Sequence, residues 1–212
     1  MRSLFKQDDA FTGLEAAIVL IAFVVVAAVF SYVVLGAGFF TTQKSQEVVH
    51  TGVQQASSSM EVIGNVYGMA TTGHANLAYV KFTIGNTAGG TGLDIAKMVV
   101  SYTDETTRSA DVLYNDDAAD EAALVAALVA ASATMDGTVT DKMGEWGILE
   151  KINANDDTLL EPGEQFVLGV SVPASSAKPY TPFSINLQPS VGAVFSLEKT
   201  VPAAISNVNI LY

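Results

Sequence analysis

Between Glu15 and Lys44 this chain carries no charged side chain. Within that interval Ala16 to Phe40 reads AAIVLIAFVVVAAVFSYVVLGAGFF. About 20 apolar residues cross a bilayer as a helix, so the run is long enough to span one with tilt. It is apolar on every face. Such a helix has two stable surroundings, lipid or other helices. The run exceeds the roughly 7–15 residues of a secretory signal core, so a cleaved secretory signal is disfavoured. Arg2 and Lys6 precede it, which favours a cytoplasmic N-terminus and an outward-facing remainder.

The helical spacing continues past the run. Val48, Val49, Val53, Ala56, Met60, Ile63, Val66 and Tyr67 recur at three- and four-residue intervals, and Thr42 to Tyr67 contains no Pro. The spacing predicts a helix over 11–72, broken by the glycine-rich stretch Gly68 to Gly73. From Phe11 to Tyr67 it would measure ~85 Å at 1.5 Å per residue. Half uniformly apolar and half amphipathic, it calls for a packed helical core at one end and the underside of a domain at the other.

From His74 onward the period changes to two. Ala78, Val80, Phe82 and Ile84 alternate with polar neighbours. Ile95 to Tyr102, Val112 to Tyr114, Phe166 to Val172, Phe183 to Leu187, Ala193 to Leu197 and Val208 to Ile210 read as further strands. Proline and glycine separate several of them. Asp120 to Ala131 reads as one short helix whose first turn is acidic. The expected fold is α+β: one long N-terminal hydrophobic helix, then an antiparallel sandwich or barrel over 73–212.

Composition narrows the functions. The 212 residues are 50% hydrophobic and 15% charged, with a mean hydropathy of +0.35. The net charge of −12 argues against a nucleic-acid partner, because phosphate contacts need clustered Lys and Arg. The absence of Cys excludes thiol chemistry and disulfides. His50 and His74 stand apart with no carboxylate motif beside either, and no nucleophile elbow or phosphate loop occurs. Gly89 to Gly92 lacks the lysine of a P-loop and reads as a turn. No enzyme is expected. Trp146 is expected in the core or between subunits. Asn155, Asp157, Glu161 and Glu164 loosely follow a calcium loop but lack its central glycine. They are expected either to form a solvated turn or to bind Ca²⁺ or Mg²⁺ weakly.

The segment before the run is more specific. Phe11-Thr12-Gly13-Leu14-Glu15 places a Glu five residues after a possible cut between Ala10 and Phe11. This resembles the class III signal of type IV pilin-like proteins. The text from Thr12 to Phe40 resembles the N-terminal region of archaeal flagellins, the archaellins, and Leu160 to Val170 (LEPGEQFVLGV) is similar to their outer domain. The resemblance implies a leader, 1–10, removed by a prepilin-type peptidase. It implies helices bundled at the centre of a helical polymer and an immunoglobulin-like outer domain. It also implies assembly by a membrane platform and an ATPase, and a rotating extracellular filament that drives swimming. Partners would be copies of the chain or paralogues, with the membrane holding the precursor. An adhesive type IV-like pilin is the alternative, and a single-span binding protein that never polymerises is a third.

Within this frame Gly13, Glu15, Gly36 and Gly38 are the expected assembly residues. A carboxylate near the bilayer is costly unless paired, and cleavage before Phe11 would supply an α-amino partner for Glu15. Small residues let helix backbones approach closely. No Asn-x-Ser/Thr sequon occurs, so a glycan would be O-linked or of a non-standard kind.

Overall fold

The computed structural model describes residues 5–57, 59–71, 73, 75–87, 92–116, 120–136 and 143–212, with side chains from Gly13 onward except Gln54, Ala56 and Ser57. The chain forms two units, Met1–Gly52 and Val53–Tyr212. The described part of the first lies in a single helix, α1, which runs from Phe5 to Ser57. The β-branched residues that fill it are mediocre helix formers in water. Away from water, however, a backbone without helical hydrogen bonds has no alternative partner.

The helix ends ten residues short of the expected Tyr67. The next segment, Met60–Ala70, is strand β1. Its apolar residues mimic helical spacing because the strand is irregular. The pairing shifts between Ile63 and Tyr67, and Gly64 adopts a φ of 78°. β1 has two more residues there than β2 does between Thr83 and Lys81, an irregularity that interrupts the alternation without reversing its faces. Past Gly64, Val66 and Gly68 face inward while Tyr67 and Met69 face outward. Ser59 makes the change of structure, its carbonyl accepting both the N–H and the hydroxyl of Thr87.

The remaining strands follow the expected order, with additions. They are β2 (Leu77–Asn86), β3 (Leu93–Asp94), β4 (Val99–Asp104), β5 (Arg108–Tyr114), β6 (Glu145–Ile152), β7 (Leu159–Leu160), β8 (Gln165–Ser171), β9 (Pro182–Gln188), β10 (Phe195–Thr200) and β11 (Val208–Leu211). The strand expected over Ile95 to Tyr102 is split, with a 3₁₀ turn at Ile95–Lys97 before β4. Nine strands form one sheet in the order β10-β9-β4-β5-β6-β8-β2-β1-β11, and β3 and β7 form a small ribbon. All pairs are antiparallel except β5 with β6. The sheet curls until strands from both ends share one core: Leu197 of β10 and Leu211 of β11 belong to the same cluster as Phe82, Tyr102, Trp146, Phe166 and Ile185. The unit is therefore barrel-like.

The parallel pair is joined by helix α2, Glu121–Thr134. Asp120 caps it, its Oδ1 accepting the Ala123 N–H at 2.8 Å. Leu124 and Leu128 bury against Ala78, Tyr79, Leu149 and Val167 on the outside of the sheet. Gly147 and Gly169 permit this approach. A Cβ on Gly169 would lie 2.7 Å from Leu128 Cδ1, and one on Gly147 2.8 Å from Leu124 Cδ2.

Asp104 clasps the opposite region. Its carboxylate accepts hydrogen bonds from the Tyr102 and Ser176 hydroxyls and from the N–H groups of Thr106 and Thr107. Burial pushes this carboxyl up, but the bonds from Ser176, Thr106, Tyr102 and Thr107 outweigh burial and hold it below the usual carboxylate range. Burial, followed by the Asp104 hydrogen bond, pushes the Tyr102 phenol up.

Candidate assembly surface

The side chains of α1 have nothing covering them. Every described residue from Gly13 to Val53 is exposed, including Leu20 at 66%, Phe23 at 71% and Phe30 at 70%. Burying such a side chain stabilises by about 1.5–3 kcal/mol. A helix apolar all round and bare along its length is thus half of a structure; lipid or other chains supply the rest. The stretch Gly13–Val53 is long and apolar enough to cross a membrane.

Two hydroxyls on this helix are satisfied by its own backbone. The Thr41 hydroxyl donates to the Ala37 carbonyl at 2.8 Å, and that of Thr42 to Gly38 at 2.9 Å. Neither requires water. Lys44 pairs with Glu47 where the uncharged run ends. Glu15 is exposed, and no ion pair to it is found among the described residues.

The expected glycines lie in open space. No atom outside the local helix backbone comes within 4 Å of a Cβ built on Gly13, Gly36 or Gly38. A glycine inside a helix costs about 0.5–1 kcal/mol relative to Ala. Among the described residues no packing contact at these glycines offsets that cost. At about 100° per residue, Gly13, Ala16, Ala17, Ala27, Ala28 and Gly38 fall within one sector of roughly 120°, interleaved with Leu20, Val24, Val34 and Leu35. The aromatic residues Phe23, Phe30, Tyr32, Phe39 and Phe40 all fall outside it. Glu15 lies on the face opposite Gly13, and Gly36 also lies outside the sector. The four expected assembly residues therefore do not share one face.

The other expected site residues fall into place differently. Ala10 and Phe11 are helical, and their side chains lie outside the described residues, as do His74 and Gly89 to Thr91. His50 is exposed on α1. Trp146 is 1% exposed in the core, tilted against Tyr114 at 4.8 Å. In the acidic turn Asn155 Oδ1 accepts the Asp157 N–H and Asp157 Oδ1 the Leu159 N–H, both at 2.9 Å. The two Glu164 oxygens accept the N–H groups of Asn155 and Glu161. Lys151 Nζ donates to the carbonyls of Asp156 and Asp157. Among the described residues no three His, Cys, Asp or Glu side chains gather closely enough to hold a metal ion.

A bare apolar helix followed by a curled sheet is a layout shared with known proteins. The sequence model of the archaeal-type flagellins matches residues 10–199. This chain belongs to the archaeal-type flagellin family. It is 38% identical to probable flagellin 1 of Archaeoglobus fulgidus, over 97% of this chain and 96% of that one. Over 32 residues it is 91% identical to the 24 kDa flagellin of Methanospirillum hungatei; those residues are 15% of this chain and the whole of that sequence. Among solved structures it resembles the archaeal flagellum of Methanospirillum hungatei strain JF1, with a TM-score of 0.66 and 30% identity, covering 94% of this chain and 99% of that chain. The crystal structure of flagellin FlaB1 from Methanocaldococcus jannaschii shares the fold, with a TM-score of 0.53 at 18% identity, covering 73% and 96% of the two chains. This flagellin is a structural subunit of the archaeal flagellum, a filament outside the cell formed by self-assembly. Its apolar helix suits membrane insertion of the precursor.

Proposed function

We propose that this flagellin polymerises through α1, with the helices bundled at the filament centre and the β-rich units outside, and that the filament rotates to drive swimming. The observation that carries the reading is the uncovered apolar surface from Gly13 to Val53. Moving such a helix from lipid into a polymer brings little hydrophobic gain, because lipid tails are as apolar as its own side chains. Close packing must supply the difference, and the sector of Gly13, Ala16, Ala17, Ala27, Ala28 and Gly38 is where two backbones can approach most closely. No catalytic step belongs to this account; the chain acts by holding its shape and its contacts.

Processing precedes assembly in this reading. A prepilin-type peptidase cuts between Ala10 and Phe11, and a membrane platform with its ATPase draws the helix out of the bilayer. The new α-amino group of Phe11 pairs with Glu15 of the same or an adjoining copy, neutralising a carboxylate that would otherwise be costly in an apolar setting. N-terminal sequencing of filaments sheared from cells tests the cut: Phe11 in the first cycle is expected, and Met1 would overturn it. Glu15→Gln is expected to lower filament yield while the chain remains membrane-inserted; undiminished yield would refute the pairing. A strain lacking the chain should lose swimming and keep surface attachment, the reverse of what an adhesive pilin would give.

A further inference from the structure

One edge of the curled sheet is unusually bare. β11 is the last strand in the order, pairing with β1 alone through Val66↔Leu211, Tyr67↔Ile210, Gly68↔Asn209 and Met69↔Val208. Its inward residues Asn209 and Leu211 are buried. Its outward residues Val208 and Ile210 are 52% and 40% exposed. Beside them in register stand Met69 and Tyr67, both half-buried, and Met69 packs against the cluster under α2. The outer apolar packing thus continues from α2 through Tyr79 and Met69 to Val208 on β11, while Lys81, paired with Glu121, stands beside Tyr67.

Charge distinguishes this edge from its counterpart. From Val201 to Tyr212 no side chain is charged, in a chain whose net charge is −12. The other edge, β10, carries Glu198 and Lys199, which line one pocket with Tyr212 just past the end of β11. Soluble proteins usually protect an edge strand with charges, a proline or a bulge. β11 has none of these and is protected only by its shortness, four residues. Copies of so acidic a chain repel one another, and a contact between them forms most readily where neither side brings charge. A filament also needs contacts between unlike patches, since head-to-tail contacts that do not close give helical polymers.

We infer that the outward face of β11, Val208 and Ile210 with Tyr67 and Met69, is a contact surface for a second copy of this flagellin. The inference rests on self-assembly into a filament and adds a contact outside α1. The lack of cysteine in the natural sequence provides a direct test. Single substitutions Ile210→Cys and Val208→Cys report on β11, and Ser196→Cys, exposed on β10, reports on the other edge. Each full-length chain is treated with a maleimide both in detergent and in assembled filaments. The β11 thiols are expected to react freely in detergent and about tenfold or more slowly in filaments, as in the water-excluding centre of an interface. The Ser196→Cys thiol is expected to react at similar rates in both. Equal rates in both states for the β11 thiols, or equal protection of all three, would overturn the assignment. Ile210→Lys is expected to reduce filament yield while the chain in detergent melts as the wild type does; wild-type yield would also overturn it. Failure of the unsubstituted chain to form filaments would count against the filament reading itself, so the two failures are distinguishable.

Discussion

Removing the Leu128 side chain tests how α2 is held on the sheet. Leu128 is fully buried, and the surface beneath it is shaped by the missing side chain of Gly169. Leu→Ala substitutions in cores cost about 2–5 kcal/mol, and the cost is highest where neighbours cannot move into the hole. Gly169 has no side chain to relax into it, so Leu128→Ala is expected in the upper part of that range, about 3–5 kcal/mol. For a unit of this size each kcal/mol lowers Tm by roughly 2–4 °C, giving a fall of about 6–20 °C. Gly169→Ala in the wild-type background places a Cβ 2.7 Å from Leu128 Cδ1 and 2.9 Å from Leu149 Cδ1, an overpacking cost of about 1–3 kcal/mol. Combined, the two changes should compensate, because the new methyl occupies space that Leu128 vacated. The double variant should be more stable than the sum of the single effects predicts by about 1–2 kcal/mol. Trp146, the one tryptophan, lies in the core and reports melting of the full-length chain in detergent by fluorescence. Strictly additive effects would refute the packing argument.

Three further outcomes follow from the structure. Asp104 has a folded pKa below its unfolded value, so its contribution to stability is present above about pH 4 and is lost as pH falls through the lowered folded value; Asp104→Asn should flatten the dependence of Tm on pH in that acidic window, and an unchanged profile would count against the clasp. Gly38→Leu places a bulky side chain in the small-residue sector of α1 and should disturb filament packing, seen by electron microscopy, while leaving the melting of the β-rich unit unchanged. Asp120→Ala removes the cap of α2 and should destabilise that unit by about 1 kcal/mol, read as a Tm shift of a few degrees.

The long helix was legible because nothing in Ala16 to Phe40 offers the backbone another partner. β1 was not legible as a strand. Around Gly64 it carries two more residues than β2, and apolar side chains stand on both of its faces, Met60 and Val66 buried and Ile63 and Tyr67 half-buried, so the four fall at helical intervals although the backbone is extended. β6 was missed for a different reason: Glu145, Glu150 and Lys151 interrupt its apolar pattern, while α2 and the core bury opposite faces of its neighbourhood. α2 itself was legible from its acidic start and its Leu124–Leu128 spacing. Glu15 and the helix glycines stood out as residue types misplaced in an apolar helix. Their angular separation around α1 was latent in the same text, and it emerges only when each is placed at about 100° per residue on a regular helix.

The position of β1 determines how the flagellin carries load. It is the first strand after α1, so a pull transmitted along the chain from α1 reaches the β-rich unit first at this strand. β1 is not an edge at its outer end: β2 flanks it from Met60 to Ala70, and β11 grips its other side from Val66 to Met69. To tear the unit from its tether, two ladders must shear together where a terminal strand would offer only one.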